Sequence, residues 1–187
     1  MLEKWKRRID KYKVIIQNAG YLSLIEVIRM AMPFIAMPYL IITVGADNYG
    51  LAVFSQTIIS YFMLVINWGL DELAVKDVSR NRKDADQLNV IVSTVLGIKL
   101  VLLLLCLIVL FLATVYIPFF SNYQLLYLFA FITCFSEVLY PVWFFIGIEK
   151  MKYITIIKSF SILFYVITVF IFVKQQDDFE YIVLLQS

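Results

Sequence analysis

Five ionisable residues stand inside otherwise apolar runs of this 187-residue chain: Glu26, Arg29, Lys99, Glu137 and Lys158. A charge in such surroundings is costly unless it is paired or faces a water-filled cavity, so these positions are the first candidates for function. Glu26 and Arg29 are three residues apart, which places them on one helix face within pairing reach. Glu137 has Lys99 or Arg29 as a partner on another helix. Two arrangements fit the residue types. The charges form ion pairs that fix helix packing, or they line a polar, partly cationic cavity between helices. Gln56 and Asn67 add hydrogen-bonding capacity between helices. Lys158 lies close enough to the end of its run for its ammonium to reach the interface.

Other chemistry has little material. The chain has no His, hence no imidazole for metal ligation or for proton transfer near neutral pH. Cys106 and Cys134 both fall in apolar blocks and read as small buried hydrophobes rather than a disulfide. Glycine-rich phosphate loops, dinucleotide fingerprints, metal-ligand clusters and nucleophile elbows are all missing from the sequence. The reading is therefore a non-enzyme with no cofactor, no metal and no nucleic-acid partner.

The elements that carry the charges follow from composition. Hydrophobic residues make up 63% of the chain, against about 45–50% in a soluble domain, and they come in long blocks. Crossing ~30 Å of hydrocarbon takes ~20 helical residues at ~1.5 Å each, and only helices satisfy their own backbone there. The expected fold is all-α, a polytopic transmembrane bundle over residues 18–187. It has five complete spans at about 19–42, 51–68, 88–115, 123–146 and 155–173, and the start of a sixth at Tyr181. Residues 1–17 form a basic segment suited to an amphipathic surface helix. Pro33 and Pro38 should kink the first span. The charged segment 69–87 reads as a solvated helix with local salt bridges, and Trp68 and Trp143 as interface anchors. The short sixth run suggests the N-terminal part of a longer protein.

Lys and Arg are distributed unevenly among the connectors. The N-terminal segment carries six, segment 69–87 four and the connector at Lys150 and Lys152 two, against one, Lys174, on the opposite side. The positive-inside rule then puts the N-terminus in the cytoplasm. Counted inward from that edge, Arg29, Lys99 and Glu137 each lie about 14–16 Å deep, near the midplane.

One stretch carries a family signature. Pro141, Trp143, Phe144, Phe145, Gly147, Glu149, Met151 and Lys152 follow the pattern P-x-W-F-F-Q-G-x-E-x-M-K, with Ile146 where the pattern has Gln. Together with Tyr49-Gly50-Leu51 and Trp68-Gly69-Leu70, it resembles the polysaccharide (O-antigen, Wzx-type) flippases. These lie within the multidrug, oligosaccharidyl-lipid and polysaccharide exporter superfamily. The resemblance implies two pseudo-symmetric bundles around a central cavity, of which this chain supplies the first. It implies alternating access and a bacterial inner-membrane location. It also implies membrane lipid, an undecaprenyl-pyrophosphate-linked oligosaccharide, the C-terminal half of the transporter and the polysaccharide polymerase machinery as partners. A cation-coupled exporter of drugs or small molecules, and a non-transporting membrane scaffold, are the alternatives.

Overall fold

The computed structural model describes residues 19–186 apart from 22, 28, 29, 32, 33 and 35. The basic segment 1–17, Arg29 and Pro33 lie outside the described residues. The regular structure among the described residues is entirely helical. Helix α1 comprises the described residues from 19 to 44. It is followed by α2 (Ala46–Asn67), α3 (Leu70–Arg80), α4 (Ala85–Tyr116), α5 (Pro118–Ser121), α6 (Gln124–Leu139), α7 (Val142–Gly147), α8 (Met151–Phe172) and α9 (Phe179–Gln186), with a 3-10 turn at Gln176–Asp178 before the last.

Among the described residues, four stretches are long and apolar enough to cross a membrane: Ala46–Asn67, Ala85–Tyr116, Gln124–Gly147 and Met151–Phe172. At most 33% of any of them is buried within the molecule. The rest turns Leu104, Ile108, Phe111, Phe160 and Phe164 outward, among many others. An apolar exterior this continuous is stable against lipid and not against water. The chain is a multi-pass membrane protein.

Local signals set the helix ends. Asp84 caps α4 by accepting hydrogen bonds from the backbone N–H groups of Asp86 and Gln87, both at 3.1 Å. Pro118 opens α5, where its missing N–H costs nothing. The expected span 123–146 is not one helix. It breaks at Tyr140 and Pro141, because proline disfavours the helical conformation in the residue before it and α7 restarts beyond it. The first apolar hairpin is longer than expected, since α2 begins at Ala46 and α4 extends from Ala85 to Tyr116.

The side chains of the described residues pack in three cores. The largest joins α2, α4, α6 and α9 through Ile59, Ile66, Leu103, Leu110, Phe131 and Val138. A second joins α1, α8 and α9 through Leu40, Tyr165, Val169 and Ile182. There the Tyr39 hydroxyl donates to the Val173 carbonyl at 2.7 Å. The third is small: Ala74 and Val78 of α3, Val95 of α4 and Trp143 of α7. Cys106 and Cys134 are buried and free, as their apolar settings suggested.

Candidate functional site

Helix α4 buries one stripe, Val95, Lys99, Leu103, Cys106, Leu110 and Thr114, at helical spacings of four residues with one of three. Lys99 sits within this stripe and is only 2% exposed. Its ammonium donates to Asn67 Oδ1 at 2.9 Å and to Asp71 Oδ1 at 2.5 Å. Asn67 is the last residue of α2 and Asp71 stands in the first turn of α3. Asp71 also lies near the partial positive charge of its helix N-terminus. Its side chain is 34% exposed, so the ion pair is sealed on the lysine side and open on the aspartate side.

This arrangement changes the expected pairing. Lys99 does not pair with Glu137. Glu137 is half-buried on α6 and makes no ion pair among the described residues. Lys99 lies about 26 Å along α4 from Tyr116, near the middle of that helix and level with the end of α2. Glu26 is helical and half-buried, Lys158 is half-buried on α8, and Arg29 is outside the described residues.

The segment 69–87 is more than a solvated connector. Its α3 presents Lys76, Asp77 and Arg80 outward but buries Ala74 and Val78, spaced i, i+4. That stripe meets a second i, i+4 stripe, Trp143 and Gly147 of α7. The fit at Gly147 has no slack: a Cβ there would lie 2.5 Å from Val78 Cγ1, 2.7 Å from Val78 Cβ and 3.3 Å from the Val75 carbonyl oxygen. Trp143, expected at an interface, is 3% exposed and belongs to this core, whereas Trp68 is 75% exposed at the end of α2. Among the described residues, the ion pairs of the segment reach α4 and the α7–α8 turn rather than neighbours along the chain. Arg82 Nη2 donates to Glu149 Oε1 at 2.7 Å and to Ser79 Oγ at 3.1 Å. Glu149 holds a left-handed backbone at φ 60°, two residues beyond the end of α7. Phe145 packs near Tyr140 and Tyr153, while Met151 and Lys152 open α8. The signature residues thus divide into a docking face (Trp143, Gly147), a helix break (Pro141) and a bridging acid (Glu149).

The Arg82–Glu149 pair is solvent-exposed on both sides, at 34% and 45%. Arg82→Ala is expected to lower stability by no more than about 0.5 kcal/mol. Thermal melts of the two proteins should converge as salt is raised.

Asp71 is the residue sequence reasoning missed. Its signal was the i, i+4 spacing with Asn67 across Trp68-Gly69, opposite a lysine in the middle of α4.

Comparisons with known proteins bear on what this arrangement serves. The family described as polysaccharide biosynthesis protein matches residues 15–187. A protein of Escherichia coli (strain K12) named "Putative O-antigen transporter" is 27% identical over 172 residues, 91% of this chain and 41% of that protein. One of the same name from Shigella dysenteriae is 29% identical over 164 residues, 87% of this chain and 40% of that protein. The chain therefore spans about 40% of the length of these curated relatives. No solved structure matches it.

Proposed function

Because the chain belongs to the polysaccharide biosynthesis protein family, we propose that it forms the first helical bundle of a flippase for a lipid-linked oligosaccharide in the bacterial inner membrane. The match along 91% of the chain to a relative named for O-antigen transport carries this reading. In it, α1 is a further crossing, α9 starts a sixth, and the second bundle corresponds to the remaining part of the relatives' length. The basic end, with Lys76, Arg80, Arg82, Lys83, Lys150 and Lys152, faces the cytoplasm, and so does the N-terminus.

Arg29 and Lys99 supply positive charge for a pyrophosphate passing between bundles, and Glu26 and Glu137 tune them or take part in ion coupling. Asp71 is the counter-ion that a phosphate must displace to reach Lys99. A second reading has support in the hydrogen bonds themselves: Asn67 and Asp71 already take two of the ammonium's three donors, as a packing pair would.

The test is complementation in a strain lacking its O-antigen transporter. This chain alone should give no surface polysaccharide, and fusion to the rest of the Escherichia coli relative should restore it. In the fusion, Arg29→Gln with Lys99→Gln should reduce surface polysaccharide and leave lipid-linked oligosaccharide facing the cytoplasm. Normal levels at normal expression would overturn the assigned roles. Dye extrusion without polysaccharide export would favour the small-molecule exporter. Full recovery in the swap Asp71→Lys with Lys99→Asp would favour the packing pair.

A further inference from the structure

Three helices cross one level of the molecule, and each is interrupted or weakened there. Helix α2 gives way to α3 at Trp68 and Gly69, both left-handed with φ 28° and 74°. For Trp68 that backbone is a strained one, which persists only where its surroundings enforce it. Helix α6 gives way to α7 at Tyr140 and Pro141. Helix α4 is continuous, but Gly97, its single glycine, lies at this level, and a Cβ there would meet nothing within 4 Å. The packing divides at the same place. Ile66, Leu103 and Val138 belong to the large core, while Ala74, Val95 and Trp143 belong to the small one.

Lys99 stands on this seam. It holds α4 to Asn67 on one side of the α2–α3 break and to Asp71 on the other. Beyond the seam, the small core is tied together independently of Lys99, by the zero-clearance contact at Gly147 and by the Arg82–Glu149 pair.

We propose that the seam at Gly69, Gly97 and Pro141 is a hinge, that α3, α7 and the first turns of α4 move about it as one body, and that Lys99 is the latch holding the observed position. The latch opens from the Asp71 side, where the pair meets solvent. The inference stands on this geometry and does not depend on what the protein carries.

Distances between spin labels on the full chain in lipid nanodiscs test it. Labels at Thr57 and Lys76 report α3 against α2, and labels at Lys76 and Lys150 report the small core internally; all three positions are exposed. With the latch intact, both pairs should give a single narrow distribution. Asp71→Ala should add a second population to the first pair and leave the second pair unchanged. Gly97→Leu, which stiffens α4, should suppress that second population. If Asp71→Ala does not fold, Lys99→Met opens the same latch while leaving a carboxylate that water can solvate. An unchanged Thr57–Lys76 distance with the latch removed would overturn the hinge. So would equal broadening in both pairs, which marks local unravelling of α3, or a second population that survives Gly97→Leu.

Discussion

Gly147→Ala is expected to separate α3 from α7. The added methyl carbon would sit 2.5 Å from Val78 Cγ1 and 2.7 Å from its Cβ. A rotamer change moves the first atom but not the second, so the helices themselves must shift. Overpacking of this kind costs about 1–3 kcal/mol. The value should fall at the upper end here because Trp143 and Ala74, 3% and 2% exposed, must move with the backbone. Val78→Ala should give little rescue, since it keeps the offending Cβ. Val78→Gly should give partial rescue, less the ~1 kcal/mol that glycine costs in a helix interior. Cys106 and Cys134, buried and free, provide the readout: a thiol-reactive dye should label Gly147→Ala at a lower temperature than the parent protein. Equal labelling temperatures would sink the docking argument.

The second expectation concerns an asymmetry within one ion pair. Removing Asp71 strands the ammonium of Lys99 where it is 2% exposed, with Asn67 as its remaining partner. Removing Lys99 strands a carboxylate that is 34% exposed and already meets solvent. Breaking a buried pair costs about 3–5 kcal/mol when the remaining charge is uncompensated. Asp71→Ala should approach the low end of that range, because its own exposure lets some water follow. Lys99→Met should cost less than about 1 kcal/mol, since methionine fills the same stripe. The double variant should sit near Lys99→Met and not near the sum of the two singles. Thermal melts of the three variants decide it. Greater damage from Lys99→Met than from Asp71→Ala would show that the burial of the two groups does not govern the pair.

Much of the frame is legible in the residue pattern, and the reasons differ from helix to helix. Apolar blocks marked α2, α4, the α6–α7 span and α8 because a lipid-facing helix has to be apolar along its length. That same property hid which face of α4 is buried. With Leu, Ile and Val on every side, no stripe stands out, and the place of Lys99 is set by contacts 28 and 32 residues away. Segment 69–87 misled in the opposite direction. Its charges read as solvation, yet its buried stripe consists only of Ala74 and Val78, too short a signal to outweigh Lys76, Asp77 and Arg80. Tryptophan is common at membrane interfaces, which points Trp143 there; the glycine four residues later is the better clue, since paired positions of that spacing make a docking face. The backbone at Trp68 and Glu149 was out of reach, as neither residue type advertises a left-handed conformation.

The packing of α1 has a consequence in time. Among the described residues its core partners lie chiefly on α8 and α9, and the Tyr39–Val173 hydrogen bond closes a loop of 134 residues. At about 5–20 residues per second, a ribosome needs roughly 7–27 s to travel from one to the other. During that interval the hairpin of α2 and α4 is already complete and able to pack, while the α8 and α9 side of the core that holds α1 is still to be made. Among the described residues, α1 is thus the helix that waits longest for its core partners.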